Sequence, residues 1–252
     1  MKRRLSSCFG LLVALATAAC ASTPTTPTPT PPVQPPPPPP VLRVVRILAF
    51  GDSLTEGKIS APLPVAPFGL TPGAPESYPF KLQVMLTSRY TTQSIFVLNG
   101  FGSGEGAVNA RARFNLTLSE EKPDLLLLID GANDLFALRG QTVAAALPQI
   151  GKVAVAVEEM AEEAIGRGIP VMIGTLPPMR ESGQRGGGAP FQPAFNELLR
   201  GVADEKGAQF VDLFSLVPLS LVGEDGLHLT EAGYQKIAEV FFTVIAQKFE
   251  TH

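Results

Sequence analysis

Five short apolar segments alternating with amphipathic stretches predict an α/β fold, a parallel sheet of five strands with helices on both faces. Two observations carry that prediction. Residues 44–50, 94–98, 125–129, 169–175 and 209–213 are short runs rich in aliphatic and aromatic residues, and most of the stretches between them repeat apolar residues at helical spacing. The run Leu125, Leu126, Leu127, Leu128, Ile129 is unbroken between Asp124 and Asp130, the pattern of a strand covered on both faces.

The chain opens with Lys2, Arg3 and Arg4, followed by an apolar stretch over residues 9–19. That stretch is too short to span a bilayer, so residues 1–19 read as a signal peptide. Thr17, Ala18, Ala19, Cys20 resembles the bacterial lipobox, which makes Cys20 the expected lipidation site and the membrane of the cell envelope the expected location. The alternative is ordinary cleavage at an Ala-x-Ala site, Ala16 to Ala18, which releases a soluble secreted protein. The other cysteine, Cys8, lies inside the signal, so a disulfide or cysteine metal site within the mature chain is excluded. Residues 20–42 form the lipidated cysteine and a linker, with eleven prolines between Ala21 and Pro40. This composition favours extended polyproline II, a spacer of up to about 60 Å at roughly 3.1 Å per residue. A ligand for a proline-reading module is the other reading of the same stretch. Residues 43–252 remain for a single domain, ample for a well-buried core.

In that domain the first strand, residues 44–50, ends at Gly51, and Ser53 follows just past its C-terminal end. That edge of an open α/β sheet is where ligands bind, and a serine on a tight turn there can present its hydroxyl. Taken alone, the same residues also suit a turn or helix N-cap. A proline-rich loop over residues 59–76 follows and is expected to wall the site. A helix is predicted over residues 78–88 with Phe80, Leu82, Val84, Met85 and Leu86 on its apolar face. After the second strand come Gly100, Gly102, Gly104 and Gly106. Gly102, Gly104 and Ala107 share the spacing of a dinucleotide fingerprint, but they follow the second strand rather than the first, which argues against it. Asn133 follows the third strand in Gly131, Ala132, Asn133, Asp134. A helical region over residues 142–168 carries Leu147, Ile150, Val153, Val157, Met160 and Ile165, with Pro148 and Gly151 weakening its first turns; Met160 reads as core. Residues 180–193, rich in glycine, read as a second mobile loop over the site. A helix to about residue 204, the fifth strand and a closing helix over residues 230–249 complete the domain, the last with Ala232, Ile237, Val240, Phe241, Val244, Ile245 and Phe249 inward.

The chain has two histidines, and His252 is its last residue. A serine nucleophile needs a base, which leaves His228, and Asp225 stands three residues before it. The carboxylate can reach one imidazole nitrogen while the other faces the serine. A capping or surface role is the plain alternative for such a histidine.

Here the residues carry a resemblance. Gly51, Asp52, Ser53, Leu54 resembles the first signature block of the GDSL esterases, also called SGNH hydrolases, and Asp225 to His228 resembles the last. Asn99 to Glu105 is similar to their glycine block and Gly131 to Asp134 to their asparagine block. The four blocks span Gly51 to His228 in the family order. The resemblance implies a three-layer flavodoxin-like sandwich with strand order 2-1-3-4-5 and a serine esterase acting on acyl or acetyl esters. It implies catalytic Ser53, His228 and Asp225, and an oxyanion hole of the Ser53 and Gly104 backbone donors with the Asn133 amide. A larger residue is commoner where Gly102 stands, which leaves Gly102 or Gly104 as the donor. No metal or cofactor is implied, and a monomer is expected. Two alternatives stand beside this reading, a polysaccharide or peptidoglycan O-deacetylase and a non-catalytic envelope-binding domain. Without the signal, 17 basic residues face 23 acidic ones, a net near −6, which argues against nucleic acid as a partner.

Overall fold

The computed structural model describes residues 38–59, 69–71 and 74–251. The signal peptide, Cys20, most of the linker, His252 and residues 60–68 and 72–73 of the proline-rich loop lie outside the described residues.

Five parallel strands form the sheet: β1 (Arg46–Gly51), β2 (Phe96–Phe101), β3 (Leu125–Ile129), β4 (Val171–Gly174) and β5 (Gln209–Val211). Their order is β2-β1-β3-β4-β5, the order that the family resemblance implies. A sixth strand, Gly69–Thr71, lies in the stretch read as loop and pairs antiparallel with β2 at the edge. Val41–Leu42, read in the sequence as linker, pairs antiparallel with Glu250–Thr251 in a separate ribbon.

The sheet is buried from both sides. Residues 47–50 of β1 and 125–129 of β3 are at most 1% exposed, because helices cover both faces and leave no polar side for these strands to show. The covering helices are α2 (Tyr78–Arg89), α3 (Ala107–Glu121), α5 (Val143–Gly166), α6 (Gln192–Lys206) and α8 (Glu231–Phe249); the short helices α1 (Ser53–Glu56), α4 (Ala132–Ala137) and α7 (Leu213–Leu216) follow β1, β3 and β5. Ser77, Thr142 and Thr230 cap α2, α5 and α8 through their side-chain oxygens.

Some helix faces differ from the sequence reading. Val84 and Leu147 are both 49% exposed and Ala232 is also exposed; Ala146, Tyr234 and Ala238 are buried instead. Periodicity fixes a helical face only to within about one residue, since each step turns it by about 100°. Helix α5 runs unbroken through Pro148. The carbonyl deprived of a donor there is that of Ala144, an exposed residue near the helix start, where water can satisfy it. Met160 is core, 1% exposed.

The glycine-rich segment 180–193, read in the sequence as a loop, holds more regular structure than expected. It is a hydrogen-bonded turn leading into a 3-10 helix, Gly186–Phe191, and its glycines are there for close approach. A Cβ on Gly183 would overlap the backbone of Asp225 and Gly226, and one on Gly186 would overlap the Arg180 carbonyl. The N–H groups of Arg180 and Arg185 donate to the carbonyls of Gly226 (2.8 Å) and Asp225 (2.6 Å). This segment therefore packs backbone against backbone on the turn that carries His228.

Gly183→Ala should accordingly lower the melting temperature by about 3–10 °C, the effect of an overpacking cost of about 1–3 kcal/mol in a domain of this size. Gly151→Ala is the opposite case, a helical glycine with open space at its Cβ. It should stabilise the protein by about 0.5–1 kcal/mol. Thermal melts of the two variants test both signs.

Candidate active site

Parallel strands deliver their C-terminal ends to one edge, and the residues singled out in the sequence lie there. Strand β1 ends at Gly51, where a Cβ would overlap the carbonyl of Ile129 on β3. The next residue, Asp52, caps α1 by accepting the Leu54 N–H at 2.9 Å. Ser53 is thus the first residue of a short helix and is 2% exposed. As the first helical residue its own N–H has no intrahelical acceptor.

His228 comes from the far end of the chain. The turn before it is closed by the Gly223 N–H on the His228 carbonyl at 2.8 Å and by the Val222–Leu229 bridge. Its Nε2 lies 2.9 Å from Ser53 Oγ, and its Nδ1 lies 2.5 Å from Asp225 Oδ2. A carboxylate accepts only, so Nδ1 carries the proton and Nε2 is left to accept from the serine hydroxyl. The other Asp225 oxygen accepts the N–H groups of Leu227 (3.0 Å) and His228 (2.9 Å). Burial would raise the Asp225 pKa, but these N–H groups and the imidazole outweigh it and hold the carboxyl below its ordinary value. Burial is also the largest influence on His228. With the nearby charges of Arg185 and Lys58 it depresses the imidazole pKa despite Asp225.

The glycine loop lies alongside. The Gly102 N–H donates to the Gly51 carbonyl at 2.8 Å, extending the β2–β1 ladder by one residue, and so it is already committed. Gly104 sits at φ +77, a conformation that favours glycine, with no atom within 4 Å of where a Cβ would stand. Among the described residues its N–H has no acceptor. Asn133 is in the first turn of α4 and joins three parts of the site. Its Nδ2 donates to the Glu105 carbonyl at 2.9 Å and to Asp52 Oδ2 at 3.2 Å, while its Oδ1 accepts from Arg185 at 3.2 Å.

Two arginines that the sequence reading did not single out hold this geometry. The Arg113 guanidinium stacks on Phe50, with its carbon 4.2 Å from the ring centre, pairs with Glu105 (2.9 Å) and reaches the carbonyls of Gly100 and Gly51. Arg185 spans from Asp225 to Asn133. Nothing in local sequence marks Arg113, whereas Arg185 is the one cation among the glycines of residues 183–188.

Two buried carboxyl groups, Asp52 and Asp130, and a half-buried one, Asp134, lie beneath the site. Burial pushes Asp52 up to about 7 against the pull of the Leu54 N–H, with Asp134 adding repulsion. Asp130 is raised well above its ordinary value by burial and by Asp52; one of its oxygens accepts the Gly131 N–H at 2.7 Å and the other has no partner among the described residues. Asp134, also raised by burial, accepts the Ala107 N–H at the start of α3 at 2.7 Å. Among the described residues no group of three or more His, Cys, Asp or Glu is placed to hold a metal ion.

The model of the GDSL-like lipase/acylhydrolase family matches residues 49–236. No curated protein matches the chain. Among solved structures, the acetylxylan esterase Axe2 of Geobacillus stearothermophilus is similar at 19% identity and a TM-score of 0.62, over 79% of this chain and 93% of that one. A lipase/acylhydrolase of Enterococcus faecalis is similar at 21% identity and a TM-score of 0.62, over 81% and 97%. At these identities the likeness is one of fold.

The raised pKa of Asp130 has a consequence for stability. Between the unfolded carboxyl value and the raised folded one, the folded state holds a proton that the unfolded state has lost, so stability falls as pH rises through that window. Asn at this position keeps the acceptor for Gly131 and cannot ionise. The melting temperature of Asp130→Asn relative to the parent should therefore become more favourable from pH 5 to pH 8; a difference independent of pH would contradict the assignment.

Proposed function

Because the chain belongs to the GDSL-like lipase/acylhydrolase family and is therefore a carboxylic ester hydrolase, we propose that it is a serine esterase of the cell envelope, with Ser53 as nucleophile, His228 as base and Asp225 as the group that orients it. The observation that carries this reading is the continuous pair of contacts, Asp225 Oδ2 to His228 Nδ1 at 2.5 Å and His228 Nε2 to Ser53 Oγ at 2.9 Å. In Axe2, replacements of a serine, an aspartate and a histidine by alanine are catalytic mutants, the aspartate three residues before the histidine as here.

The chemistry follows from the protonation states. Ser53 Oγ attacks the ester carbonyl as its proton passes to Nε2, and the imidazolium is stabilised by Asp225. The proton returns to the leaving alkoxide, giving the free alcohol and an acyl-serine. Water activated by the same Nε2 then releases the acid and restores the serine. Negative charge on the carbonyl oxygen is met by the backbone N–H groups of Ser53 and Gly104. Asn133 serves as third donor by exchanging its longer bond, 3.2 Å to Asp52, for the oxyanion. Gly104 rather than Gly102 is the loop donor, since the Gly102 N–H is engaged by Gly51. Acyl or acetyl esters are the substrate class, and p-nitrophenyl esters of rising chain length beside acetylated sugars separate a general esterase from the O-deacetylase alternative. The basic and apolar start of the chain and Cys20 support export and a lipid anchor, with the proline-rich stretch as spacer.

A base must be neutral to accept the serine proton, and burial with the cations beside it holds His228 below the ordinary 6.5. The rate constant kcat/KM should therefore rise with pH through one group whose midpoint lies below 6.5 and stay level through neutrality. His228→Ala should remove that limb and cost about 10⁴-fold or more. Ser53→Ala combined with His228→Ala should be hardly worse than either alone, because the two act as a unit. Additive losses would sink the assignment.

For the anchor, fractionation is the check. The protein should travel with membranes and Cys20→Ser should free it with esterase activity intact; a parent protein already soluble would refute the lipid anchor.

A further inference from the structure

Arg185 and Lys58 bring positive charge close to His228. Among the described residues Lys58, Arg139 and Arg185 make no ion pair with a carboxylate, although most arginines elsewhere in the domain do. Arg185 is the most constrained of the three. Its backbone N–H is fixed on the Asp225 carbonyl at 2.6 Å, and its guanidinium carbon lies 5.2 Å from the centre of the Phe136 ring. Among the described residues its side chain makes one hydrogen bond, to Asn133 Oδ1, and its buried Nε has no acceptor. Arg139 shares the Phe136 ring, its guanidinium carbon 4.6 Å from the centre, so two positive charges, the half-buried Arg185 and the exposed Arg139, meet on one aromatic side chain. The carboxyl groups on this side have other duties. Asp52 accepts from Leu54 and Asn133, Asp134 from Ala107, and Asp225 from Leu227 and His228.

A half-buried guanidinium fork with unused donors and a second cation on the same ring is built to receive a planar or tetrahedral oxyanion. Asn133 links Arg185 directly to Asp52, the neighbour of the nucleophile, so the oxyanion it receives would belong to the molecule being cleaved. We infer that Arg185, assisted by Arg139 and Lys58, is a specificity-determining residue that selects esters carrying a carboxylate or phosphate close to the scissile bond. The inference rests on the serine-esterase reading and adds to it the charge of the substrate.

The test compares phenyl acetate with its meta-carboxylate and its meta-phosphate ester in the full chain and in Arg185→Gln, Arg185→Lys and Arg139→Gln. For each protein the quantity read is the ratio of kcat/KM for the anionic ester to that for the neutral one. Arg185→Gln should lower the ratio about tenfold to a hundredfold, mostly through KM, as expected for a charge-assisted hydrogen bond. Arg185→Lys should keep part of it, Arg139→Gln should lower it less, and salt at 0.5 M, an arbitrary high value of about 4 Å Debye length, should lower the parent ratio more than that of Arg185→Gln. The carboxylate and phosphate arms show which oxyanion is preferred. A ratio unchanged in Arg185→Gln, or an equal loss on neutral and anionic esters, overturns the inference and leaves the esterase reading standing. Failure of the parent to cleave any of the esters, or p-nitrophenyl acetate beside them, overturns the esterase reading itself. Should Arg185→Gln not fold, the Arg139→Gln ratio and the salt dependence of the parent decide.

Discussion

The contact of 2.9 Å between Ser53 Oγ and His228 Nε2 joins residues 175 positions apart, and most of the fold bears on whether it can form. Its first half is secured by the sheet. Strand β1 is central, flanked by parallel β2 and β3, so the direction in which its last residue points is fixed by hydrogen bonds on both sides. Its second half has no strand to secure it. His228 sits in a turn between two stretches of backbone, with α8 capped by Thr230 on one side and the 180–186 segment packed on Asp225 and Gly226 on the other. A catalytic contact tolerates an error of well under 1 Å, and close-packed backbone is a stiffer support than side chains. That requirement explains glycines at 183, 186 and 226 better than any need for flexibility.

Such a site has a local energetic cost. Asp52 and Asp130 are buried carboxyl groups raised further by the half-buried Asp134, and Asp130 also by Asp52, in a chain that is already acidic. Each also performs a structural task. Asp52 caps α1 behind Ser53, Asp130 satisfies a Gly131 N–H held at φ +106, and Asp134 holds the start of α3 beside the glycine loop. Carboxylates are strong acceptors for exposed helix N–H groups, and the burial of β1 and β3 is the compensation elsewhere in the domain.

The sheet was legible because its five strands are buried on both faces and so appear as short apolar runs, with β3 the plainest. Ser53, Asn133 and His228 were legible because each follows a strand or precedes a helix in a polar turn, and because the chain holds one histidine besides its last residue. Three things were not. The edge strand Gly69–Thr71 contains a glycine and sits among prolines, and its pairing with β2 is a tertiary event without a local pattern. The choice between Gly102 and Gly104 depends on which N–H the sheet ladder consumes, which no spacing reveals. Arg113 acts from the middle of α3, where in sequence it is an ordinary helical cation, and its stacking on Phe50 exists only once α3 has packed on β1.

Glycine was the residue most easily misread. In a sequence it can mark a loop that moves or a backbone that must be approached, and Gly183 and Gly186 are closely approached by neighbouring backbone. Close approach matters for substrate recognition, because the backbone bond of Arg185 to the Asp225 carbonyl ties this residue to the turn that carries His228. It also fixes the range at which that charge acts. The sequence carries a net charge of −3, or near −6 without residues 1–19, so at distances beyond a Debye length of about 8 Å an anionic ester meets a weakly repulsive molecule. Attraction begins only where Lys58, Arg139 and Arg185 outweigh the acidic surface, at the mouth of the site itself. Selection for an anionic substrate therefore has to reside in contact and binding rather than in long-range steering, and it is the fixed backbone around Asp225 that makes contact selection physically available.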